Sequence, residues 1–120
     1  MKIEIEIKLR LPEDLAEIRK TLRRLGFLVH KRRAFESNIL FDDVKHRLRK
    51  HGKLLRVRRT GKLGLLTFKG PSEQSRFKKR PEIETEFCDA DVIERIMQQT
   101  GNQQDLREVR LRTEHTAQSR

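Results

Sequence analysis

A chain of 120 residues has room for one domain with a modest core and for no second one. With 39% charged residues, 34% hydrophobic residues and a net charge of +11, much of the charge must sit on ordered elements. A polyanionic partner is expected: nucleic acid, a phosphate-rich small molecule or an anionic surface. No apolar run approaches the length of a membrane span and the charged N-terminus lacks the apolar stretch of a signal peptide, so a cytosolic protein is expected. Cys88 stands alone and cannot form an internal disulfide; it reads as a structural thiol.

Residues 3 to 9 read Ile3-Glu4-Ile5-Glu6-Ile7-Lys8-Leu9, which in an extended strand sends the apolar side chains one way and Glu4, Glu6 and Lys8 the other. Alternate residues on one strand face lie about 7 Å apart, so two ionised carboxylates there repel by roughly 2 kcal/mol at an effective dielectric near 20. A cation is expected between them, either Lys8 or a divalent metal; an amphipathic strand with one wet face is the plainer reading. Pro12, Glu13 and Asp14 suit a first helical turn, after which Leu15, Ile18, Leu22 and Leu25 recur on one stripe until Gly26. A strand from Arg33 to Asp42, a short basic helix from Val44 to Lys50 closing at Gly52, and a hairpin turning at Gly61 follow.

Gly70-Pro71 opens a polar stretch through Lys79 that reads as a mobile loop. In the next strand Arg80, Glu82, Glu84 and Glu86 share a face opposite Ile83, Thr85 and Phe87. Asp89 or Asp91 caps a helix carrying Val92, Ile93, Ile96 and Met97, and Gly101 ends it. A last strand, Arg107 to Glu114, sets Arg110 and Arg112 together before a polar tail, residues 117–120. Several strands thus pair one apolar face with one face dense in both charge signs. A sheet curled so that the charged faces meet would leave the apolar backs for the helices, with the alternating acids and bases neutralising one another around a polar tunnel.

These residues resemble the CYTH domains, or triphosphate tunnel metalloenzymes, which include thiamine triphosphatases, inorganic triphosphatases and class IV adenylyl cyclases. Glu4 to Lys8 matches the family's Glu-x-Glu-x-Lys signature, and Asn38 to Asp42, Gly52 to Arg58, Leu66 to Pro71 and Arg80 to Glu86 match further motifs in the family's order. The resemblance implies an α+β fold, an antiparallel β-barrel with helices outside, over residues 1–116. It implies metal-dependent attack on a triphosphate, with Glu4, Glu6 and Lys8 as the catalytic signature. Glu4, Glu6, Glu82 and Glu84 would hold Mg²⁺ or Mn²⁺, while Lys8, Arg56, Arg58, Lys69, Arg80, Arg110 and Arg112 would bind phosphate oxygens.

The family's barrel has eight strands and only about six can be read here, so the barrel is expected to be incomplete at the C-terminus, with open sheet edges. That leaves a truncation without turnover, a homodimer whose copies complete one another, or a binder that keeps only phosphate affinity. Leu40, Glu36 and Val109 depart from the family's usual tyrosine, glutamine and charged residue, and Asn102 to Asp105 lacks an expected aromatic. Nucleic-acid binding competes as a function, motivated by Lys31-Arg32-Arg33, the basic run Lys45 to Lys53 and the net charge, but no Trp or Tyr is present to stack on bases. His46 and His51 are poorly spaced to share a metal, and His30 and His115 have no partner legible in sequence.

Overall fold

The computed structural model describes residues 1–11, 14–61, 63–73 and 77–117, with the side chains of 31–33, 111, 113 and 117 outside the description. The chain divides into two compact units, Met1–Ile7 with Phe35–Arg110 and Lys8–Ala34 with Leu111–Arg120. Its elements in order are β1 (Lys2–Glu6), α1 (Leu15–Arg24), β2 (Phe27–Asp42), α2 (Arg47–Lys50), β3 (Leu54–Thr60), β4 (Leu63–Lys69), β5 (Lys78–Phe87), α3 (Ala90–Gln99) and β6 (Gln103–Ala117). The six strands form one sheet in the order β1-β5-β4-β3-β2-β6, so β1 and β6 stand at its two ends and, among the described residues, no ladder joins them. None of the helices among the described residues is long and apolar enough to cross a membrane.

Within the first unit, four antiparallel ladders fix which side chains share a face, because residues directly opposite one another project to the same side. Ile39 opposite Val57, Val57 opposite Leu66 and Phe68 opposite Ile83 mark the apolar side. Ile39, Phe41 and Val57 are buried there, with Leu55, Leu66, Phe87 and, from α3, Ile93 and Met97 packed against them. The Asp89 carboxylate caps α3 by accepting from the Val92 amide at 3.1 Å. Gly64 lies opposite Phe87, and a Cβ at Gly64 would collide with that ring.

The opposite side of the sheet carries the charge expected of it, but several element boundaries differ. β1 stops at Glu6 and not at Leu9, because Glu6 pairs with Lys78, the first residue of β5, and Ile7 meets no further partner. The loop expected through Lys79 ends earlier: Lys78 and Lys79 belong to β5, and the Glu73 amide donates to the Lys79 carbonyl at 2.8 Å. The basic helix shrinks to one turn at Arg47–Lys50, since His46 takes a left-handed conformation (φ 54) that helix interiors exclude. The last strand extends from Gln103 to Ala117, beyond the 107–114 expected. Cys88 is exposed, contrary to a structural thiol.

In the second unit, α1 begins at Leu15 because the Asp14 side chain caps it, accepting from the Glu17 amide at 3.0 Å. Pro12 and Glu13, expected in that first turn, lie outside the described residues. Ile18 and Leu22 are half-buried while Leu15 and Leu25 remain exposed, so the stripe expected to pack along its length is covered only in the middle. Gly26, at φ 91, turns the chain directly into β2, which therefore starts at Phe27 and not at Arg33. The basic side chains of residues 31–33 and the tail residues 118–120 are outside the description.

Candidate functional site

The charged side of the first unit is built from every second residue of four neighbouring strands. Opposed pairs bring Glu4 to Arg80, Lys69 to Glu82, Thr67 to Glu84 and Arg56 to Thr67, so side chains scattered from residue 4 to residue 84 become neighbours. The Lys69 ammonium donates to both Glu4 oxygens at 2.7 and 2.8 Å and lies 3.7 Å from Glu82. Thr67, fully buried, donates its hydroxyl to Glu84 at 2.7 Å. Glu6 continues this face opposite Lys78.

Burial would raise the Glu4 carboxyl, but hydrogen bonds from Glu82 and Lys69, with the charges of Lys69 and Arg56, outweigh it and hold Glu4 at about 2. Glu82 moves the other way: its hydrogen bond to Glu4, burial and the negative charges of Glu4 and Glu84 push it up against the pull of Lys69. The pair therefore keeps its negative charge on Glu4 and retains a proton on Glu82 more tightly than an isolated carboxyl would. Arg56 sits in the middle of these acids. Burial lowers its pKa, opposed by Glu84, Glu36, Glu82 and Glu4, and its Nε is buried with no hydrogen-bond partner among the described residues.

Other basic residues are more heavily committed. Arg58 Nε donates to Asn38 at 2.7 Å and lies 3.1 Å from Glu36, whose same oxygen accepts from Asn38 at 3.0 Å and from Arg110 Nε at 3.1 Å. Glu36 thus joins β2, β3 and β6 from a buried position. Arg80 donates from Nε to the Gly70 carbonyl at 3.0 Å and from Nη2 to the Gly52 carbonyl at 3.5 Å, so these two nitrogens are engaged by the backbone. Lys8 lies past the end of β1 and is exposed, and Arg112 lies 3.4 Å from Glu114; both belong to the second unit.

A second group was not legible beforehand. Asp42, His46 and Asp105 bring three ligand atoms within 4.8 Å of one another, a set that could hold a metal ion. His46 Nδ1 is 3.0 Å and Arg49 is 3.4 Å from Asp105, while the Asp42 carboxylate accepts from the Asp43, Leu48 and Arg49 amides at 2.8, 3.0 and 3.0 Å. Burial would raise Asp42, and those three bonds with the charge of His46 lower it overall. The Asp42 oxygens are thereby occupied in ordering the turn into α2. The consecutive Asp42-Asp43 pair signals such a cap, whereas nothing in the sequence links Asp105 to it.

A family model for the CYTH domain matches residues 2–117. The chain belongs to the CYTH family. A candidate adenylate cyclase of Methanocaldococcus jannaschii is 30% identical over 99 residues, covering 82% of this chain and 55% of that protein. Among solved structures, a candidate adenylate cyclase of Vibrio parahaemolyticus matches with a TM-score of 0.72 at 18% identity, over 84% of this chain and 56% of its own. PH1819 of Pyrococcus horikoshii matches with a TM-score of 0.71 at 25% identity, over 88% and 61%. This CYTH chain therefore spans 55 to 61% of the length of these relatives. Its antiparallel α+β sheet has the CYTH tunnel fold in an unclosed form, with β1 and β6 unpaired to each other.

Proposed function

We propose that this CYTH chain binds a triphosphate on its charged face and, with Mg²⁺ or Mn²⁺, hydrolyses it, the substrate being inorganic triphosphate or a nucleoside or thiamine triphosphate. The observation that carries this reading is the buried, unpartnered Nε of Arg56 beside Glu4, Glu82 and Lys69. A phosphate oxygen is the acceptor that this donor lacks. The acids fit a hard divalent cation, because all are carboxylates and because Glu4 and Glu82 crowd each other enough to push Glu82 up. Glu4, Glu6, Glu82 and Glu84 would hold it. Bound there, the cation would neutralise charge on the leaving phosphate and favour ionisation of the attacking water.

The chain's own groups supply the rest. Arg56 donates to a phosphate oxygen, Lys69 holds Glu4 ionised and adds positive charge beside it, and Glu36 fixes Arg58 and Arg110 at one margin of the face. Arg80, Lys8 and Arg112 are assigned to phosphate by the family pattern alone, Arg80 also bonding the backbone of Gly52 and Gly70. A second copy of the chain would shield the open sheet from water. Adenylate cyclisation is the second reading, favoured by the naming of the relatives; the same face would then bind ATP and release pyrophosphate.

The test is product analysis from inorganic triphosphate and ATP, with and without Mg²⁺ or Mn²⁺, for wild type and Glu4→Gln/Glu6→Gln. Metal-dependent phosphate release that the double variant loses supports hydrolysis. Pyrophosphate with cyclic AMP supports the second reading, and neither product with either metal overturns both.

A further inference from the structure

Among the described residues β1 ends the sheet with one edge unpaired, and its sequence is complementary to itself. Pro81 turns its carbonyl to the Gly70 amide at 2.9 Å, on the β4 side, so Ile3, directly opposite Pro81, points its own N–H and C=O away from β5. Ile5, two residues on, does the same. Ile3 and Ile5 are 59% and 62% exposed, and Ile83, on the same face of β5, is 53% exposed. A run of unpaired amides flanked by uncovered isoleucines is a strand edge that invites another strand.

We propose that two copies of this chain associate through antiparallel pairing of their β1 edges, centred on Glu4. In that register Ile3 of each copy lies opposite Ile5 of the other, and Lys2 opposite Glu6, so every apolar residue meets an apolar one and both terminal pairs join opposite charges. The two Ile3–Ile5 pairs are the hydrogen-bonded ones, which gives each copy's outward amides and carbonyls a partner. The central pair sets Glu4 against Glu4, and each of those carboxylates already carries its own Lys69 at 2.7 Å. A slip of one residue would set charged side chains on the apolar face and is excluded by the alternation. This closed, two-fold contact deepens the functional reading by naming where the second copy docks, and it rests on that reading only for the benefit to catalysis.

The experiment is the solution mass of the whole chain by sedimentation, in the absence of triphosphate and divalent metal, so that its outcome is separate from that of the product analysis. Wild type is expected at twice the 14.3 kDa chain mass. Lys2→Glu and Glu6→Lys, each placing like charges across both terminal pairs, are expected to weaken association about tenfold or more, and Lys2→Glu/Glu6→Lys to restore it. The double variant also disturbs the pairing of Lys2 with Glu82 and of Glu6 with Lys78 inside each copy, so its recovery cannot come from the β1–β5 ladder. A monomeric wild type, single variants that associate like wild type, or a folded double variant that stays monomeric would each overturn the proposal.

Discussion

Arg56 places a buried Nε among four carboxylates without giving it an acceptor. Since Arg56 also supplies the positive charge that offsets those carboxylates, Arg56→Lys, which keeps the charge and removes the Nε donor, is expected to leave the fold about as stable as wild type while weakening triphosphate binding by about tenfold or more. Urea unfolding and a triphosphate titration on the same variant separate the two effects. Asp42 makes the opposite kind of case. Its pKa is lowered in the fold, so its stabilising contribution is present above the ordinary carboxylate value of 3.8 and is lost as pH falls below it. Asp42→Asn should be less stable than wild type at neutral pH and converge on it in acid, as read from thermal unfolding across that range. Alternation alone made Glu4, Glu82 and Arg56 legible, because the period of a strand decides which side each takes. Glu36 and Asp105 were not legible, since their roles depend on which strands become neighbours, and β2 beside β6 is a long-range choice.

At the scale of elements, alternation marks where strands lie but not how far they run, because a strand's length is set by its partner. β1 ends where its partner begins, and nothing within Ile7-Lys8-Leu9 announces that β5 starts only at Lys78. The basic run from Val44 favours a longer helix than α2, but one left-handed residue, His46, holds it to a single turn. The β4–β5 ladder offers a direct test of packing. Gly64 leaves room for the Phe87 ring across the strand, so Gly64→Val is expected to destabilise by about 1–3 kcal/mol, and Phe87→Ala in the same chain to recover part of that loss. Denaturant unfolding of the two single variants and the double variant measures the coupling.

For the molecule as a whole, a charge of +11 guarantees attraction to many polyanions, so affinity alone does not identify a ligand. The sign of the Glu4 effect does. Glu4→Gln removes negative charge, and retention on duplex DNA should hold or rise, falling steeply with salt in both proteins. Stabilisation by triphosphate with Mg²⁺ should instead largely disappear. At a hundredfold excess over Kd it is worth about 2.7 kcal/mol, enough to follow as a shift in thermal midpoint.

Arg80 reaches the carbonyls of Gly52 and Gly70, the residues that flank the open end of the β3–β4 hairpin turning at Gly61. One guanidinium on β5 thereby staples both legs of a hairpin whose other end is already covalently closed. Amide exchange along β3, β4 and β5 should then proceed by a single cooperative opening, with no fraying inward from Gly52 and Gly70, and loss of the staple would let those ends exchange first.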